Sequence, residues 1–259
     1  MAKFSANLGF LWTECTLVDA IHAAERAGFD AVECHWPYDT PAALVRDALA
    51  ACGIPMLGIN TIRGDVTAGE NGLAAVPHRR TEARAAIDQA LDYANQIGAR
   101  NLHVMAGNTD HTDARSVFLE NLDYAATLAQ GHGITILIEP LNTYDAPGYF
   151  LTHTDQAVEI IDTLGLGNVK LMFDCYHVHR MQGDVIGHLT KCLPHIGHIQ
   201  FAGTPHRNAP HLGDLDYHAV FNHLDRLGWS APLGAEYQPN GPTENSLAWM
   251  QGLRLGGHP

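Results

Sequence analysis

Residues 134–174 read ITILIEPLNTYDAPGYFLTHTDQAVEIIDTLGLGNVKLMFD. ITILIE (134–139) is a short apolar run rich in β-branched residues, and VKLMFD (169–174) is another. Between them, HTDQAVEIIDTLG (153–165) places apolar residues at helical spacing and stops at a glycine. Strand, helix and strand in succession form a βαβ unit, in which the two strands run parallel. Each strand run also closes on an acid, Glu139 in the first and Asp174 in the second.

The same alternation extends in both directions. Upstream, the strand-like runs are FSANLGF, FDAVECHW, IPMLGIN and NLHVM, and downstream they are IGHIQFA and APLGAE. Between and after them come TLVDAIHAAERAG, PAALVRDALAACG, PHRRTEARAAIDQALDYANQIG, RSVFLENLDYAATLAQGHG, GDVIGHLTKCL, YHAVFNHLDRLG and ENSLAWMQGL, all at helical spacing. That makes eight strand–helix pairs of roughly 32 residues each, the size of a βαβ repeat. Eight such units in 259 residues predict closure into a single (β/α)₈ TIM barrel spanning 1–259. The rival is an open doubly wound sheet, but no GxGxxG follows the first strand. Residues 61–77 and 202–216 are the longest loop-like stretches, and both follow strands, so a barrel would carry both on its active face.

Composition narrows the function classes. An apolar fraction of 46% supports a buried core. Fifteen basic and 28 acidic residues leave a net charge of −13, which speaks against a phosphate-backbone partner. Five cysteines without a CxxC pair read as reduced thiols. No apolar run approaches a membrane span, and the first residues lack a signal-peptide pattern, so a cytoplasmic location is expected and no membrane partner.

The chemistry gathers at strand ends. Glu139, Asp174, Gln200 in IGHIQ and Glu236 in APLGAEY close four consecutive strand runs. In a barrel these ends open on one face and converge. Three carboxylates and an amide oxygen are a hard, all-oxygen donor set, suited to Mg²⁺ or Mn²⁺. Burying such a set without a cation is costly. His177, in FDCYHVH, lies within reach of a substrate oxygen, and Arg207, in AGTPHRNAP, could grip a carboxylate as a fork. Asn60 and Arg63, in INTIRGD, and Trp12 complete the candidate substrate contacts, with Phe10 and Trp36 as weaker aromatic neighbours. His103 is expected inside the barrel with a hydrogen-bond partner, and His179 in a structural role. GxSxG and phosphate-cradling glycine motifs are absent.

FSANLGFLWTE, AGFDAVE, IGARNLHVMAG, IEPLNTYDAPGYFL, FDCYHVHRMQGD, IGHIQFAGTPHR, GDLDY and GAEYQP occur in order along the whole chain. Together they resemble the hydroxypyruvate isomerase family, which includes 2-oxo-tetronate isomerases, within the xylose isomerase-like TIM barrels. The resemblance implies a divalent metal, Mg²⁺ or Mn²⁺, held by Glu139, Asp174, Gln200 and Glu236, with Glu139 and Glu236 as the acid/base pair. It implies substrate contacts by His177 and Arg207. The expected reaction is an aldose–ketose type isomerisation of a small sugar acid through an enediolate, either hydroxypyruvate to tartronate semialdehyde or a 2-oxo-tetronate to its 3-oxo isomer. A ketose 3-epimerase, an inosose-type dehydratase and a non-catalytic sugar-acid-binding barrel are the alternatives, and the oligomeric state stays open. One departure concerns Ala209, which stands before Pro210 where relatives commonly carry an acid.

Overall fold

The computed structural model describes residues 2–254. Its strands are β1 (Phe4–Asn7), β2 (Ala31–Glu33), β3 (Gly58–Asn60), β4 (Asn101–His103), β5 (Thr135–Ile138), β6 (Val169–Asp174), β7 (Ile196–Phe201) and β8 (Leu233–Ala235). All seven strand pairings are parallel, in the order β2-β1-β8-β7-β6-β5-β4-β3. The two ends of that order meet. Leu57 N–H donates to Val32 O at 2.7 Å and Cys34 N–H to Gly58 O at 3.1 Å, closing β2 against β3. The result is a (β/α)₈ TIM barrel.

Helices α1 (Leu17–Arg26), α2 (Ala42–Cys52), α3 (Arg80–Ile97), α4 (Ala114–Gln130) and α5 (Thr154–Leu164) follow the first five strands. Then come α6 (Cys175–Met181), α7 (Val185–Cys192), α8 (Tyr217–Arg226) and α9 (Trp249–Arg254). Local chemistry sets their limits. Thr16 caps α1 by accepting from Asp19 N–H, Asp216 caps α8 by accepting from His218 and Ala219 N–H, and α3 ends on Gly98 in the left-handed region (φ 69°). Between barrel and helices, Phe4, Phe201, Phe221 and Trp249 pack ring to ring at centroid distances of 5.0–5.8 Å, joining β1, β7, α8 and α9.

The sequence reading differs from the structure in two elements. The helix expected over 244–253 divides into a 3₁₀ turn at Thr243–Ser246 and α9. The segment after β6, which the sequence reading gave no element, is α6, because the Asp174 side chain accepts from Tyr176 N–H and starts a helix at once.

One irregularity orients the site. β6 and β7 pair Leu171 with Ile196 but Met172 with His198, so Gly197 is an extra residue on β7. A Cβ on Gly197 would lie 2.7 Å from Lys170 Cβ and 2.9 Å from Leu137 Cδ2. After this bulge the register resumes and sets Asp174 directly opposite Gln200.

Candidate active site

Because β5 to β8 are neighbours, their carboxyl ends bring Glu139, Asp174, Gln200 and Glu236 to one mouth. All four side chains are buried. Glu139 follows β5, Asp174 and Gln200 are paired across β6 and β7, and Glu236 follows β8, its N–H donating to Phe201 O at 3.0 Å.

These groups divide by what satisfies them. Glu139 Oε1, Asp174 Oδ2, Gln200 Oε1 and His177 Nε2 are buried without a hydrogen-bond partner among the described residues. The Glu139 and Asp174 oxygens lie 3.9 and 3.6 Å from His177 Nε2, so the three groups share one small space. Buried acceptor oxygens at neighbouring strand ends with no hydrogen-bond donor leave a gap that a cation would fill and that water-free burial would otherwise penalise. The donor set therefore fits a hard divalent metal ion.

Glu236 is engaged differently. Its Oε1 accepts from Asn7 Nδ2 at 2.9 Å and lies 2.8 Å from His35 Nε2, while Oε2 is ion-paired with Arg207. Arg207 Nη2 also lies 3.7 Å from Asp174 Oδ2. Its guanidinium is sandwiched by rings, 4.8 Å from the Phe10 centroid and 5.2 Å from that of Tyr176. Arg207 adopts a left-handed backbone (φ 53°) in a loop where Gly203 N–H donates to Asn208 O.

His177 is the second residue aimed into the cluster. The first turns of α6 bring it back over the strand ends, with Nε2 3.6 Å from Asp174 Oδ2 and 3.9 Å from Glu139 Oε1. The backbone N–H of Asn142 donates to His177 Nδ1 at 3.0 Å. That bond makes Nδ1 an acceptor, so the neutral ring carries its proton on Nε2, facing the cluster. Asn142 is itself anchored, donating from Nδ2 to Asp145 Oδ2, which also accepts from the Tyr176 hydroxyl at 2.7 Å.

Electrostatics follow from this layout. Burial, then the charges of Glu236 and Asp174, hold the Glu139 carboxyl well above the usual carboxylate range. Burial pushes Asp174 up to about 7, against the pull of Arg207. Burial acts on Glu236 in the same direction, but Arg207 and His35 together bring it down to about 2. His177 is lowered to about 3 by burial and by Arg207, so its ring is neutral. One guanidinium thus stands among several carboxylates, and two of those carboxylates favour a proton until a further positive charge arrives.

The remaining sequence candidates fall at the rim or away from it. Arg63 lies 4.2 Å over the Trp36 ring, whose indole N–H donates to Thr61 O. Asn60 closes β3 and lines a cavity of about 20 Å³ inside the barrel with Asn7, Glu33, His103 and Gln200. Trp12 is buried, its backbone and indole N–H groups donating to Thr243 and Glu244 and its ring edge on Phe29. Trp12 has a left-handed backbone (φ 53°) and lines a cavity with His35 and Trp36. His103 lies inside the barrel as expected, but both ring nitrogens lack the expected partner, the nearest carboxylate being Glu139 Oε2 at 3.6 Å.

Asn7, Glu33, His35 and His198 belong to the site's hydrogen-bond network and were not singled out in the sequence. For Glu33 the signal was present, since FDAVE ends on an acid just as the ITILIE run does.

The profile of the xylose isomerase-like TIM barrel family matches residues 21–253. A 2-oxo-tetronate isomerase of Cupriavidus necator is 42% identical over 255 residues, 97% of this chain and 98% of that protein. The hydroxypyruvate isomerase of Escherichia coli is 35% identical and is covered completely by 98% of this chain. The chain belongs to the hydroxypyruvate isomerase family of xylose isomerase-like TIM barrels. Its reaction class is therefore that of an isomerase, an intramolecular oxidoreductase. Among solved structures, a Brucella melitensis protein described as an AP endonuclease of family 2 superposes with a TM-score of 0.94 at 37% identity, over 97% of this chain and 99% of that one. A 3-keto-D-glucoside 4-epimerase of E. coli shares the fold, with a TM-score of 0.82 at 20% identity over 97% of this chain and 99% of that one. Among the described residues, no helix is long and apolar enough to cross a membrane.

Proposed function

We propose that this isomerase converts a small 2-oxo or 3-hydroxy acid, hydroxypyruvate or a 2-oxo-tetronate, with Mg²⁺ or Mn²⁺ bound at the strand ends. The observation that carries the reading is the set of buried, unpartnered oxygens Glu139 Oε1, Asp174 Oδ2 and Gln200 Oε1 beside an Arg-paired glutamate. Glu139, Asp174 and Gln200 would hold the ion, with Glu236 joining them on release from Arg207. When bound, a divalent ion supplies Lewis acidity that polarises a carbonyl and acidifies the neighbouring C–H.

The chain's own groups supply the rest. Arg207, mostly buried and stacked between Phe10 and Tyr176, carries a fork that matches a substrate carboxylate. That preference for an acid favours sugar acids over neutral ketoses. His177 offers its Nε2–H to a substrate oxygen, its tautomer fixed by Asn142. Glu236, held ionised by Arg207 and His35, is ready to accept a proton from carbon, giving an enediolate. Glu139 or Glu236 then returns the proton to the adjacent carbon. The −13 charge opposes a DNA substrate of the kind that the Brucella protein's description suggests.

Proton NMR in D₂O with hydroxypyruvate and with a 2-oxo-tetronate tests the proposal. The expected result is conversion of one or both, abolished by EDTA and restored by Mn²⁺. Conversion of neither, or conversion indifferent to EDTA, would overturn it.

A further inference from the structure

Beneath the carboxylate cluster lies a fourth buried acid, Glu33, that takes no part in the chemistry described above. It closes β2 and is 4% exposed. Both of its oxygens are occupied. Oε1 accepts from Gln200 Nε2 at 2.8 Å and from Asn7 Nδ2 at 3.1 Å, and Oε2 lies 2.7 Å from His198 Nε2. The network crosses the barrel, since β2 and β7 are separated by β1 and β8 in the sheet.

A carboxamide has two ends of similar size and opposite hydrogen-bonding sense. Left free, Gln200 could present either its oxygen or its NH₂ to the cluster, and only the oxygen binds a cation. An ionised carboxylate accepts and cannot donate. Glu33 therefore takes the NH₂ end and leaves the oxygen on the other side, where Gln200 Oε1 is buried without a partner. β8 is shaped around this contact. A Cβ on Gly234 would lie 2.6 Å from Glu33 Oε1 and 2.9 Å from Gln200 Cγ. His198, two residues before Gln200 on the same strand, holds the second oxygen and so fixes the plane of the carboxylate.

We infer that Glu33 is a positioning residue that orients the Gln200 amide with its oxygen toward the cation site. The inference rests on the reading that the cluster binds a divalent cation. The competing explanation is an interior polar pair that only stabilises the barrel, and the two differ in whether the effect of Glu33 passes through Gln200.

Mn²⁺ titration calorimetry on the chelator-stripped full chain separates them, using wild type, Glu33→Gln, Gln200→Ala and the double variant. Glu33→Gln keeps the volume but adds an NH₂ end, so the Gln200 amide is free to turn. The expected loss of Mn²⁺ affinity in Glu33→Gln is about 10- to 100-fold, the range for second-sphere partners of metal ligands. The double variant should bind no more weakly than Gln200→Ala alone, because the orienting effect has nothing left to act on. Affinity in Glu33→Gln within about two-fold of wild type, or losses that multiply in the double variant, would overturn the assignment. Should Glu33→Gln fail to fold, as read by far-UV circular dichroism, Glu33→Asp withdraws the carboxylate from the Gln200 amide by one methylene while leaving Gln200 itself untouched. Weakened Mn²⁺ binding supports the role and unchanged binding overturns it. A folded wild type that binds no Mn²⁺ would instead overturn the cation reading, and this inference with it.

Discussion

Loading the metal-stripped protein with Mn²⁺ should expel protons, and the number follows from the geometry of the cluster. Asp174 is pushed to about 7 by burial, and Glu139 stands well above the usual carboxylate range. At pH 7 Asp174 is therefore about half protonated, so a cation that requires it as a carboxylate displaces about half a proton from it, and the raised Glu139 carboxyl adds to that number. At pH 5.5 Asp174 alone gives up about one proton, and the apparent affinity should change by at least about 10-fold per pH unit, because the slope of log K against pH equals the protons released. Glu236, already ionised, and His177, already neutral, add nothing in this window. The assay is titration calorimetry in buffers of different ionisation enthalpy, repeated from pH 5.5 to 8.5. Release of less than about half a proton at pH 6 would refute the argument that burial keeps these two acids protonated in the metal-free state.

The same shifts set the pH dependence of stability. With chelator present, the raised Asp174 carboxyl contributes stability that is complete below its ordinary value near 4 and disappears as pH rises through about 7. The amount is on the order of 4 kcal/mol for a shift of that size. Glu236 works in the opposite sense, its contribution being present above its ordinary range and lost as pH falls through about 2. The melting temperature in EDTA should thus decline from pH 5 to pH 8, and Mn²⁺ should raise it more at pH 8. Arg207→Gln removes the one guanidinium paired with Glu236, and in EDTA at pH 8 it should destabilise by about 3–5 kcal/mol. Differential scanning calorimetry should show that deficit shrinking when Mn²⁺ is added, and an equal deficit in both states would contradict the role of Arg207 as a counter-ion. Glu236→Gln should leave the far-UV circular dichroism spectrum unchanged and lower kcat by about 10²- to 10⁴-fold, with near-normal turnover excluding it as the proton acceptor.

The barrel was readable because its signals are local and repeated. Eight apolar runs alternate with eight helical periodicities, and Gly53, Gly98 and Gly165 mark helix ends in both sequence and structure. The four polar strand ends were readable for the same reason. What could not be read depends on tertiary neighbours. That Arg207 would lie between Phe10 and Tyr176 and pair with Glu236 requires a loop geometry that no local pattern encodes. α6 was missed because its seven residues give too little periodicity, although Asp174 followed by CYH supplies the cap that starts it. Trp12 lines a cavity with His35 and Trp36, while its N–H groups go to Thr243 and Glu244, partners too distant in sequence for any local pattern to foretell. The link of Glu33 to His198 and Gln200 spans more than 160 positions of sequence, so no local pattern could join them.

The bulge at Gly197 has a meaning for how such a site can change over time. A strand has only two faces, so which of its residues see the barrel axis is a matter of parity, and the extra residue resets that parity partway along β7. Beyond it, His198 and Gln200 look inward, while strict alternation from Gly197 would have turned them out. Deleting this one glycine would leave Leu171–Ile196 and Met172–His198 as consecutive pairs, so the bulge absorbs a residue that the chemistry beyond it does not need. An insertion or deletion beyond the bulge, between His198 and Gln200, has no such relief and would turn Gln200 away from the barrel axis.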